Sequence, residues 1–204
     1  MKHLNTYITG YIVKKKLDKA IDSEHKYHPQ TKDELIENIK ELLDKGETDL
    51  NCIDTSKITD MSRLFDKCEN NNFDISRWDV SNVEDMGHMF YACENFDYDL
   101  SNWNVSKVKD MKYMFYKCEN FTGKGLENWD VSNVEDMQDM FEDCENFDCD
   151  LSKWDVSNVL NMEYMFRKCK KLNFDLSNWN VSKVKNTYNM FYGCNILKNI
   201  PSWY

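Results

Sequence analysis

Trp78–Asn102 reads WDVSNVEDMGHMFYACENFDYDLSN, and the stretch decides the architecture because it recurs. Trp78, Trp103, Trp129, Trp154 and Trp179 stand 25, 26, 25 and 25 residues apart. Cys68, Cys93, Cys118, Cys144, Cys169 and Cys194 keep the same step, at 25, 25, 26, 25 and 25. Two unrelated residue types sharing one period indicate a tandem array in which each unit covers the next. The apolar positions of the quoted unit are Trp78, Val80, Val83, Met86, Met89, Phe90, Cys93, Phe96 and Leu100. The following unit repeats them as Trp103, Val105, Val108, Met111, Met114, Phe115, Cys118, Phe121 and Leu126. Its one extra residue falls in Gly123-Lys124-Gly125, where two glycines can absorb a bulge.

Inside each unit two local periods appear. Trp103-Asn104-Val105 alternates and carries residues suited to a strand. Asp110–Cys118 places apolar groups at i, i+3, i+4 and i+7, the pattern of one helical face. Ser81 with Glu84 and Ser132 with Glu135 match a helix capping box, and Asp85, Asp110 and Asp136 are alternative caps. The expectation is therefore an α/β fold: a leucine-rich-repeat-like solenoid of short parallel strands and short helices, with strands of adjacent coils about 4.8 Å apart. Residues 50–204 form six repeats of about 25 residues, the first degenerate (Ile58, Met61, Leu64, Phe65, Cys68). The turn reads SNVED in the second and fourth units but SKVKD in the third, which sets Lys109 between Glu84 and Glu135.

Residues 1–49 do not fit the repeat and are expected to be a helical N-terminal cap. Thr31-Lys32-Asp33-Glu34 is a capping box, Leu35, Ile36, Ile39, Leu42 and Leu43 form an apolar stripe, and Gly46 is a stop signal, which predicts a helix over about 31–45. A second helix is expected around Leu4, Tyr7, Ile8, Tyr11 and Ile12, with Lys14-Lys15-Lys16 as its solvated end. Ile196, Leu197, Ile200, Pro201 and Trp203 read as a truncated final strand.

The motif W-[DN]-V-S-[NK]-V-x-x-M-x-x-M-F-x-x-C resembles that of the BspA-like leucine-rich-repeat proteins, in their methionine-rich subgroup. The resemblance covers about residues 50–200. It implies an interaction or adhesion role and carries no catalytic residues to this chain. Many members of that family are surface proteins.

Composition narrows the function. The chain has 204 residues, with 26 basic against 36 acidic and a net charge of -10. That balance argues against nucleic-acid phosphates and anionic membranes as partners. No stretch is apolar for long enough to insert in a membrane, and no secretory signal is read at the N-terminus. Six of the eight cysteines occupy one repeat position, where stacked neighbours point the same way rather than converge as a disulfide requires. They are expected to form a buried thiol ladder, which fits a reducing, cytoplasmic location; the family resemblance offers the cell surface as the alternative. Asp74, Asp99, Asp150 and Asp175 recur as a column that could attract calcium, but Gly125 interrupts it, and turn capping is the expected role. No cofactor and no metal site is expected. His3, His25, His28 and His88 are scattered, and no nucleophile-base or phosphate-loop pattern occurs, so no enzyme activity is expected.

What remains is a non-enzymatic scaffold for protein–protein interaction, expected to be monomeric, with a cell-surface adhesin-type module binding host protein or glycan as the alternative. Candidate partner-binding residues are the repeated tyrosines Tyr91, Tyr113, Tyr116 and Tyr164, joined by Tyr188 and Tyr192. The unit-to-unit changes at His88, Asp139, Glu142 and Arg167 are candidates for partner choice.

Overall fold

The structure, a computed structural model, describes residues 25–68, 72–195 and 200–204. The expected helix around Leu4–Ile12 and the lysine run after it lie outside the described residues.

One sequence-predicted helix is present. Lys32–Asp44 (α1) starts at Thr31, whose side chain accepts from the Glu34 amide, while Glu34 accepts from the Gln30 amide. It stops at Gly46, with φ of 76°. Leu35, Ile39 and Leu42 are buried in the same core as Ile53, Ile58 and Met61, so α1 lies against the first coil.

The expected α/β solenoid of short strands and short helices does not form. Among the described residues the only other helical element is a 3-10 turn at Leu126–Asn128, and the only β pairings are isolated parallel bridges. The segment read as a helical face is a chain of β-turns. In the third coil, amides close three-residue steps: Met114 to the Met111 carbonyl at 3.2 Å, Tyr116 to Tyr113 at 3.2 Å, and Cys118 to Phe115 at 3.0 Å. Tyr113 and Lys117, third residues of the first and last of these turns, have φ of 56° and 58°, the left-handed value that a type II turn needs there. The amides in between leave the coil altogether. Met111, Tyr113, Phe115 and Lys117 donate to the carbonyls of Asp136, Gln138, Met140 and Glu142 in the next coil, at 2.8–3.0 Å. A helix of nine residues is marginal by itself. A stacked neighbour that accepts every second amide offers the backbone a better arrangement, at the cost of two left-handed residues per coil.

The expected strand at Trp103-Asn104-Val105 is diverted by its own asparagine. The Asn104 side chain accepts from the Ser106 amide and closes a turn, a competition with the ladder that Asn and Asp side chains commonly win. The capping boxes fail for the same reason: the Ser81 amide bonds to Asp79 at 3.0 Å, and the Glu84 carboxylate reaches Lys109 at 2.7 Å. Asp85, Asp110 and Asp136 cap turns rather than helices and pair from coil to coil.

The core is a set of columns. Phe65, Phe90, Phe115, Phe141, Phe166 and Phe191 stack ring on ring at 5.6–5.9 Å, within 10° of parallel. Trp78, Trp103, Trp129, Trp154 and Trp179 each donate their indole N–H to a carbonyl of the preceding coil at 2.8–3.4 Å. Trp203, expected in a truncated strand, joins this column instead, stacked 6.4 Å from Trp179 and bonded to the Leu176 carbonyl. Burying each large side chain contributes roughly 1.5–3 kcal/mol, and all nine apolar positions of the second coil are at most 3% exposed. At the bulge, Gly123 and Gly125 take φ of 85° and 92°. A Cβ on Gly125 would sit 2.3 Å from the Ser101 amide nitrogen, so only glycine lets the two coils meet.

Candidate functional site

The linked turns set two side chains of every coil on one face. The first is the left-handed third residue of the leading turn: Arg63, His88, Tyr113, Asp139, Tyr164 and Asn189. The second follows three residues later: Asp66, Tyr91, Tyr116, Glu142, Arg167 and Tyr192. Nine of the ten candidate residues fall in these two adjacent columns, whereas Tyr188 stands one residue before Asn189. Arg63 and Asp66, paired at 2.9 Å, extend the face at its N-terminal end and were not among the candidates. The 25-residue offset from His88 and Tyr91 was the signal that could have found them.

The face has two halves. In the second and third coils it is aromatic. The His88 ring lies on Tyr113 at 4.6 Å and 12°, and Tyr91 lies on Tyr116 at 4.7 Å and 11°. Lys117 places its ammonium over the Tyr116 ring at 5.5 Å. Burial, then the Arg63 charge, lower the His88 pKa and keep its imidazole neutral at pH 7. Burial, then Glu142, push the Tyr116 hydroxyl up to about 12, and burial, then Asp139, raise Tyr113 further. The phenols therefore act as hydrogen-bonding groups and not as acids.

From the fourth coil onward the face is ionic, then aromatic again. Arg167 forms an ion pair with Glu142 and lies 5.3 Å from the Tyr164 ring and 5.7 Å from the Tyr192 ring. Tyr164 meets Tyr188 edge to face at 5.5 Å. Tyr188 and Tyr192 are 60% and 61% exposed, the most open large apolar side chains among the described residues. Asp139 and Glu142, by contrast, are each 3% exposed. They lie beneath the surface of the face, out of direct reach of a partner.

The remaining chemical-looking residues belong to the scaffold. None of the eight cysteines forms a disulfide. Cys93, Cys118, Cys144, Cys169 and Cys194 each donate a thiol proton to a phenylalanine carbonyl of the preceding coil at 2.9–3.1 Å. Burial pushes the thiol pKa to about 12 at Cys93 and about 11 at Cys194, and well above the ordinary value at the three between. Asp74, Asp99, Asp150 and Asp175 each accept the amide two residues on, as turn caps do. Among the described residues, no cluster of three or more His, Cys, Asp or Glu side chains is placed to hold a metal ion, and no helix is long and apolar enough to cross a membrane.

A family model described as "Mycoplasma protein of unknown function, DUF285" matches residues 34–125 and 117–204. The chain belongs to this family. The DUF285 matches run from α1 through the last coil, so the family's repeat and the column-built stack are the same object. No curated protein and no solved structure matches the chain.

Proposed function

We propose that this chain is a non-enzymatic repeat scaffold that binds a protein partner through the two-column face of its linked turns. The observation that carries the reading is the pair of ring stacks, His88 on Tyr113 and Tyr91 on Tyr116, built on backbone that is hydrogen-bonded coil to coil. Tyrosine and arginine are the residues that protein interfaces favour, and rings already held in place lose little freedom on binding. The raised thiol pKa values and the neutral, stacked His88 favour a binding surface over a catalytic one. On the repeat motif alone we also place the chain in the methionine-rich BspA-like subgroup. The adhesin alternative rests on that resemblance, while cysteines outside any disulfide favour a reducing compartment.

Affinity capture from native cell extract tests this. Wild-type bait is compared with Tyr91→Ala/Tyr116→Ala and with Lys109→Ala/Lys183→Ala, the latter pair lying on a different edge of the coils. A protein held by wild type and by the lysine variant, and lost by the tyrosine variant, is the expected outcome. Equal capture by all three baits, or none by wild type, contradicts the proposal.

A further inference from the structure

The fourth coil differs from its neighbours in burying two carboxyl groups where they bear histidine, tyrosine or arginine. We propose that Asp139 and Glu142 hold one proton between them in the folded protein, and that this shared proton is a pH-sensitive lock on the fourth coil's linked turns.

Both side chains are 3% exposed, and Asp139 Oδ2 is buried with no hydrogen-bond donor. The cations packed around the pair are already committed, and the neutral Tyr113 hydroxyl bonds to Asp139. Asp136 of the same coil adds another carboxylate; from the preceding coil, Tyr113 accepts from the Gln138 side chain at 3.0 Å while its hydroxyl faces Asp139, and Lys117 sits over the Tyr116 ring. From the following coil, Lys168 pairs with Asp143 at 2.8 Å, Arg167 pairs with Glu142, Glu163 accepts from Asn186 at 2.9 Å, and Tyr164 packs on Tyr188. One guanidinium thus faces two carboxylates. Fully ionised, the cluster would bury an uncompensated negative charge, which folded proteins avoid by taking up a proton.

The Glu142 amide closes on the Asp139 carbonyl at 3.2 Å, so the two carboxyls stand on one turn. With a proton taken from solvent, the Glu142 O–H donates to Asp139 Oδ2, its other oxygen accepts from Arg167, and the cluster is neutral. Burial first, then Asp139, raise the Glu142 pKa to about 8 against an ordinary 4.5. A carboxyl raised in this way contributes its full share of stability below pH 4.5 and loses it as pH climbs to about 8. Above that range the two carboxylates repel, and the Asp139 turn, which touches Tyr113 on the aromatic face, loosens first. This follows whether or not the face has a partner.

Infrared spectroscopy of the whole chain, paired with melting curves from about pH 5 to about pH 9, tests it. At neutral pH wild type should show the C=O band of one buried protonated carboxylic acid, lost at the alkaline end. The band should be missing in Glu142→Gln, and the fall in wild-type Tm with rising pH should flatten in that variant. Asp139→Asn is the second probe: its amide donates to Glu142, so the acid band should vanish at neutral pH. Absence of the band from wild type at neutral pH overturns the proposal, whatever the variants do. So does its survival in either variant, or parallel Tm slopes in wild type and Glu142→Gln.

Discussion

Two segments of this chain carry nearly the same apolar pattern and fold differently. Leu35, Ile39 and Leu42 stand at i, i+4 and i+7, and Met86, Met89, Phe90 and Cys93 at i, i+3, i+4 and i+7. The first is the buried stripe of α1, and the second is a run of three linked turns. In α1 the opposite side faces water, as exposed Glu37, Lys40 and Glu41 show, and every backbone bond after the cap is local. In the turn segment Met86, His88, Phe90 and Ala92 send their amides to the carbonyls of Asp110, Lys112, Met114 and Tyr116. The difference lies in what stands beside each segment. A helix completes its own hydrogen bonds, whereas the turn segment borrows half of them from an equivalent neighbour about 25 residues away.

If that is so, the stack should suffer more than the helix from losing one core group. Phe115 is fully buried and stacks against Phe90, Phe121 and Phe141. Phe115→Ala should cost about 3–5 kcal/mol and Leu35→Ala about 2–5 kcal/mol, the latter at the low end because α1 packs at one end of the core. Urea denaturation of both variants measures this, and a greater loss at Leu35 would put the main stability in α1 instead. A smaller break targets the helix alone. Thr31→Ala removes the cap on the Glu34 amide and should cost about 1 kcal/mol. Hydrogen exchange should quicken across α1 while the amides of the third and fourth coils keep their protection.

The repeat period, the nine apolar positions, the thiol ladder, the turn-capping aspartates and α1 were all legible in the residues. The path of the backbone was not. A spacing of i, i+3, i+4 and i+7 fits two helical turns and also a run of linked β-turns, because both return the chain to the same side every three or four residues. What decides between them is where the amides of Met111, Tyr113, Phe115 and Lys117 go, and that depends on a neighbouring coil that a local pattern does not contain. One local hint was present: Gly193 stands where Ala92 and Lys117 stand in earlier coils, and a glycine there marks a left-handed position. The face was legible as well, since a fixed offset carries His88 to Tyr113 and Tyr91 to Tyr116. The burial of Asp139 and Glu142 was not, because a charged residue at a surface-facing repeat position reads as exposed until the long side chains around it are placed.

Glycine separates the two segments most directly, because it should act with opposite sign in each. Ala92 has φ of 56°. Ala92→Gly removes the left-handed strain of an L-residue and should stabilise the chain by about 1 kcal/mol. Lys40→Gly, on the exposed side of α1, should destabilise it by ~0.5–1 kcal/mol. Thermal unfolding of the two variants beside wild type is the measurement. A raised Tm for Ala92→Gly with a lowered Tm for Lys40→Gly is the predicted result; a lowered Tm for both would mean that the repeat segment is helical after all and would contradict the account.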